Sequence, residues 1–244
     1  MKKNLKIAET IRLNKYISNS GLCSRREADQ YIELGAVKVN GKVVTQMGYQ
    51  VKLNEEVRCD DRRINPEKPV YLLLNKPKGY LAAPKKGVYK KDVFDLIRGS
   101  GSVKLESMGP MDRTSMGLLL FTNDLEMKEK LRNSPHGIKK IIQVVLDKNI
   151  SKTHIEKIKA GVYIDKENKI SVEDISHIIG ESKRKIGIEI RSEKHKILHI
   201  VFEKLGYEIE YVDRVAYAHL TKKDLPRGKW RHLNEREVNL LKMI

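Results

Sequence analysis

Apolar residues change their spacing several times along this chain, and each change marks an element. In IRLNKYISNSGLCSRREADQYIELG they recur three and four apart on both sides of a glycine, which predicts two short amphipathic helices. Ser24 and Glu27 stand at capping-box spacing, so the second helix starts at Arg25. VKVNGKVV then alternates around Asn40-Gly41, the signature of a two-residue hairpin. A helix-helix-hairpin module is expected to end near Asp60. The charged, proline-punctuated DRRINPEKP at 61–69 is expected to be a linker.

A second pattern begins at Val70. VYLLLN and GLLLFTND are continuous apolar runs, the pattern of strands buried on both faces, with Asn123 expected to cap a following helix. IIQVVLD and KIGIEIR are predicted strands, and SKTHIEKIKAGV is a predicted helix stopped by Gly161. KHKILHIVFEKLG has helical spacing at Ile197, Leu198, Val201, Phe202 and Leu205. YEIEYVDRVAYAHL alternates as one long strand, and NEREVNLLKM closes as a helix capped by Asn234 and Glu237. Strands and helices mix without a regular strand-helix repeat. The expected class is therefore α+β with a mainly antiparallel mixed sheet.

Composition narrows the function classes. The 244 residues are 40% hydrophobic, enough for a core without staples, and carry a formal charge of +17. Such a charge favours a polyanionic partner, since each phosphate contact releases condensed counterions. Cys23 and Cys59 are the only cysteines, too few for a disulfide framework. No run has the length and apolarity of a membrane span or signal peptide, so a cytoplasmic location is expected.

Two places invite chemistry. Arg25 and Arg26 occupy the first turn of a helix, where the dipole disfavours cations but where an approaching phosphate would meet free N–H groups and two guanidiniums. In MGPMDRTSMGLLLFTND, Asp112 sits between a proline turn and a buried strand, as a turn residue or as a catalyst. His195 and His199 are spaced i, i+4, but no third ligand has evident spacing and no metal is expected.

RLNKYISNSGLCSRREADQYIELGAVKVNGKVV resembles the S-four (alpha-L) RNA-binding domain. Downstream, LLLNKPKGY, GPMDRTSMGLLLFTND and RVAYAHLTKKDLPRGKWRHL follow the order and spacing of the RsuA/RluB family of ribosomal-RNA pseudouridine synthases. The resemblance implies a basic tail at 1–11, an RNA-binding domain at 12–60, a linker at 61–69 and a pseudouridine-synthase domain at 70–244. It implies a cofactor-free isomerase acting as a monomer on ribosomal RNA, with the large subunit favoured, or on ribosomal precursor particles. Asp112 falls at the position of the family's catalytic aspartate, with Arg113 beside it. The RNA-binding candidates are Arg12, Lys15, Arg25, Arg26, Lys38, Asn40 and Lys42 in the first domain, and Lys76 and Lys78 in the second.

Three positions depart from the family pattern. Pro110 stands where the family has an arginine, Ile142 where it has a tyrosine, and His199 where a basic residue pairs with the aspartate. Proline supplies no donor. Isoleucine can pack on uracil but forgoes aromatic stacking, worth about 1–3 kcal/mol per base. Histidine changes charge within the physiological range, and Lys196, one turn back, is a possible substitute. Two readings follow. The chain is a synthase with a modified site, or a catalytically silent RNA-binding or ribosome-assembly factor that keeps the fold.

Overall fold

The computed structural model describes residues 10–52, 54–65, 67–82, 91–101, 103–109, 111–163, 169–191 and 197–244. They divide into two compact units, one ending at Val70 and one beginning at Tyr71; Asn123–Leu125 group with the first.

In the first unit, helices Leu13–Asn19 and Arg25–Glu33 form where the spacing places them. Ser24 accepts from the Glu27 amide while the Glu27 carboxylate accepts from the Ser24 amide, completing the capping box. Their apolar faces, with Leu13, Tyr16, Ile17, Ala28 and Ile32, pack against Val37, Val39 and Val57 of a four-stranded sheet. Its order is Lys42–Val43, Val37–Val39, Val57–Cys59, Arg62–Ile64.

The expected boundaries shift at both ends. Arg62–Ile64 pairs with Val57–Cys59, so the hairpin sheet continues past Asp60 and the linker cannot start at 61. The reason is a turn at Asp60 and Asp61, both at positive φ (48° and 60°), which folds the chain straight back. Thr10–Arg12 pairs with Gln50–Lys52, so residues 10 and 11 belong to the unit rather than to a tail.

The second unit is built on a mixed sheet, nine-stranded among the described residues. Across its main path run Asp174–His177, Lys185–Ile190, Lys140–Leu146, Ile209–Tyr217, Met116–Thr122, Tyr71–Lys76 and Trp230–His232. Ile209–Tyr217 and Met116–Thr122 pair in parallel, and the other described strand pairings of this sheet are antiparallel. All six residues of Tyr71–Lys76 are buried, Tyr71 to Leu74 as their apolar run requires and the polar Asn75 and Lys76 with them. One core cluster joins Ile142, Val144, Ile186 and Ile188 to Leu198, Val201 and Phe202 of helix Ile197–Lys204. Another joins Leu73, Leu118 and Leu120 to Met127, Leu131 and Leu241.

Two local expectations are corrected. The long strand stops at Tyr217, because Ala218 takes positive φ (53°) and Leu220–Thr221 turns back onto it. The helix after GLLLFTND begins at Leu125, leaving Asn123 outside the cap position; its carboxamide accepts from the Val70 amide and donates to the Lys68 carbonyl.

Candidate active site

The loop carrying Asp112 lies between strands Glu106–Met108 and Met116–Thr122. Asp112 Oδ1 accepts from the Ser115 amide at 2.6 Å and from Thr114 Oγ1 at 2.9 Å, the local turn that a short carboxylate side chain forms with its own backbone. Burial works against the charged carboxyl, but the hydrogen bonds from Ser115 and Thr114, with the charge of His199 added, outweigh it and hold Asp112 below the ordinary aspartate range. The carboxylate is ionised at neutral pH.

Two ties fix this turn to the KPKGY segment. Lys76 is the last residue of Tyr71–Lys76 and stands opposite Gly117 in the antiparallel register. Its side chain is 0% exposed, and Nζ donates to the carbonyls of Ser115 (2.6 Å), Asp112 (3.0 Å) and Pro77 (3.4 Å). The Gly79 amide donates to the Arg113 carbonyl at 2.8 Å, and Arg113 Nε donates to the Gly79 carbonyl at 3.0 Å. Burial, with Arg214 and Arg227 nearby, lowers the Lys76 ammonium to about 8, while Asp112 pulls in the opposite direction.

The floor of the site is a charged pair of neighbours on the parallel strand. Arg214, 5% exposed, donates from Nε to the Leu118 carbonyl at 2.7 Å and lies 5.1 Å from the centre of the Tyr217 ring. Asp213, 4% exposed, is gripped by Arg227 at 2.5 Å and Lys222 at 2.8 Å. Burial opposes its charge, yet these two partners keep it below the usual range. Arg227 also donates to Asn75 Oδ1 at 2.6 Å, and Asn75 Nδ2 to the Leu225 carbonyl at 2.7 Å. The strands meet closely only because residue 117 is glycine. A Cβ there would stand 2.3 Å from the Arg214 carbonyl oxygen, and its φ is +103°.

The structure thus brings Asp112, Arg113 and Lys76 together and sets His199 within electrostatic reach of Asp112. Ile142 is 8% exposed and belongs to the apolar cluster that also holds Leu198. Pro110 and Lys196 lie outside the described residues, as does His195. Lys78 is exposed, but Lys76 is not: its ammonium is enclosed by three carbonyls, which corrects its placement among the RNA-contacting residues. In the first unit Arg12, Arg26 and Lys42 are exposed, and Lys15 and Arg25 are partly so. Lys38 pairs with Asp61 at 2.6 Å. Asn40 is bonded within the unit, accepting from the Glu56 amide and donating to Glu55, so it shapes the hairpin. Asp213, Arg214, Arg227, Lys222 and Asn75 escaped the sequence reading. Their one signal was two adjacent charges in the otherwise alternating EYVDRVAY.

Comparison with known proteins joins this geometry to a family. The S4 domain matches residues 11–57, and the RNA pseudouridylate synthase family matches residues 70–204. An uncharacterized RNA pseudouridine synthase of Aquifex aeolicus is 34% identical, covering 96% of this chain and 97% of its own. Ribosomal large subunit pseudouridine synthase B of Bacillus subtilis is 30% identical, with 96% of each chain covered. The dual-specificity RNA pseudouridine synthase RluF of Escherichia coli is 32% identical over 96% of this chain and 80% of its own. A solved pseudouridylate synthase shares the fold, with a TM-score of 0.64 at 22% identity over 95% of this chain and 99% of that one. Fold, motif order and relatives agree, and the chain belongs to the RNA pseudouridine synthases that carry an N-terminal S4 domain.

Proposed function

We propose that this protein converts one uridine of ribosomal RNA, in the large subunit, to pseudouridine, with Asp112 as the carboxylate at the reacting nucleotide. The observation that carries the reading is an ionised, half-buried aspartate on a loop tied at two points to the KPKGY segment. The conversion breaks the bond between N1 and the ribose C1′, joins C5 to C1′ and moves the C5 proton to N1. No atom is gained or lost and no redox partner is needed. What the chemistry needs is an extruded base and a fixed anion near the sugar and ring, as nucleophile or charge stabiliser. Lys78 and Arg113 are exposed cations beside the loop, suited to the flanking phosphates. In the first unit Arg12, Lys15, Arg25, Arg26 and Lys42 serve to dock the RNA, and the protein acts as a cytoplasmic monomer on ribosomal RNA or a precursor particle.

A second reading rests on Ile142, a buried alkyl group that offers neither a stacking ring nor an oxygen. Under it, the chain binds ribosomal RNA without turnover. Pseudouridine mapping of unmodified ribosomal RNA and precursor particles, after incubation with wild type or Asp112→Asn, separates the two. The proposal expects one new site that Asp112→Asn makes at least about a hundredfold more slowly, with unchanged RNA affinity. No site in either substrate, with salt-sensitive binding intact in both proteins, selects the silent factor.

A further inference from the structure

We propose that buried Lys76 is a positioning residue: its charged ammonium holds the turn that aims the Asp112 carboxylate, so that productive geometry is lost when that charge is lost. The inference deepens the reading of Asp112 given above and rests on it.

An ammonium has three hydrogens and no acceptor. At Lys76 those three meet three carbonyls, and two of them, on Asp112 and Ser115, bracket the turn itself. Ser115 is the residue whose amide fixes Asp112 Oδ1. The lysine and the carboxylate therefore grip the same four-residue turn from its two sides, the carbonyls pointing to Nζ and the amide to Oδ1. A fully enclosed cation is a costly way to support a loop, since its hydration is forfeited. An apolar side chain on a simpler turn would support it without that cost, so the charge calls for a function.

The charged groups around Lys76 come from three elements. Asp112 faces it from the loop and favours the ammonium; Arg214 on the parallel strand and Arg227 on the following segment oppose it. Arg227 is itself engaged by Asp213, which also holds Lys222. His199 acts on the same carboxylate from helix Ile197–Lys204. With burial, these bring the lysine's ionisation to about 8, low enough to be crossed under mild conditions. Above it, a neutral amine turns a lone pair toward one of three carbonyls. One hydrogen bond becomes a repulsion, the turn loosens, and the anion loses a fixed counter-charge. Misplacement of a reacting group by about 1 Å can cost on the order of a hundredfold in rate.

The test follows the Asp112 side-chain carboxyl by carbon NMR from pH 6 to 10, beside kcat and KM on a ribosomal RNA substrate, for wild type, Lys76→Arg and Lys76→Met. Asp112 itself is ionised throughout this range, so its resonance reports its surroundings. The expected wild-type result is an inflection near pH 8 in that resonance and a fall in kcat above it, with KM changed less than about threefold. In Lys76→Arg, whose guanidinium stays charged, both features disappear. In Lys76→Met, kcat at pH 7 is at least about tenfold lower and flat across pH 8. A wild-type Asp112 resonance that stays flat from pH 6 to 10, or an alkaline fall that persists in both variants, overturns the proposal. If wild type makes no pseudouridine, the functional reading fails while the resonance still decides the role of Lys76. Wild type alone suffices for that decision should a variant not fold.

Discussion

Gly117 and Gly109 lie eight residues apart in chemically different surroundings, and the difference decides what each can become. A Cβ on Gly117 would meet backbone, 2.3 Å from the Arg214 carbonyl oxygen and 2.5 Å from its nitrogen, in a left-handed conformation. Backbone paired in a parallel ladder cannot step aside. A Cβ on Gly109, also left-handed at φ +74°, would meet the end of the Arg214 side chain at 3.2 Å and the Tyr217 ring at 3.3 Å. These neighbours can give by a few tenths of an ångström. Gly117→Ala is expected to destabilise the second unit by about 3 kcal/mol or more. Gly109→Ala is expected to lose about 1 kcal/mol, mostly as backbone strain. Urea titrations of the two variants check the order; equal losses would mean that the Gly117 contact relaxes, and that the junction of Asp213↔Met116 and Arg214↔Gly117 is looser than its register implies.

At the scale of elements, the same junction is secured by charge. Asp213 anchors Arg227 and Lys222, and Arg227 reaches Asn75 across 152 residues of sequence. Asp213→Ala leaves both cations facing a carboxylate-free, largely buried position, and the expected loss is about 3 kcal/mol. A urea titration read from the lone Trp230, on the strand that pairs with Tyr71–Lys76, measures it; a loss under about 1 kcal/mol would show that solvent already screens the pair. This network also shows what the sequence could and could not disclose. Ser24 with Glu27, Asn40 with Gly41, and the unbroken VYLLLN and GLLLFTND carry their structure in a few neighbouring residues, and each forms as its pattern requires. The motif loop likewise placed Asp112 and Arg113 side by side. Arg62–Ile64 and the stop at Tyr217 depend on positive-φ turns at two aspartates, which tolerate that conformation without requiring it, and at an alanine, which rarely adopts it. Lys76 looked like an RNA contact because a lysine beside a Pro-Lys-Gly turn is normally solvated. Only the tertiary arrangement of three carbonyls reveals that it faces inward.

At the scale of the whole molecule, the formal charge of +17 is spread along a chain whose site uses several of its cations internally. Lys76, Arg214, Arg227 and Lys222 are engaged by protein atoms, and Lys38 by Asp61, so these do not serve as free phosphate contacts. The cations for RNA must come from exposed positions such as Arg26 and Lys42. Each phosphate neutralised on a single strand adds about 0.7 to the slope of log affinity against log salt. Arg26→Ala and Lys42→Ala are each expected to lower that slope by about 0.7, and together by about 1.4, whatever the RNA sequence. Asp112→Asn and Lys76→Arg should leave the slope where it is, since neither touches a phosphate. Filter-binding titrations between 50 and 300 mM salt, roughly the range over which such slopes are read, make the comparison. If Arg26→Ala and Lys42→Ala both keep the full slope, the first unit's exposed cations do not dock the RNA. The electrostatic attraction would then belong to other cations, with Lys78 and Arg113 beside the Asp112 loop the next to substitute.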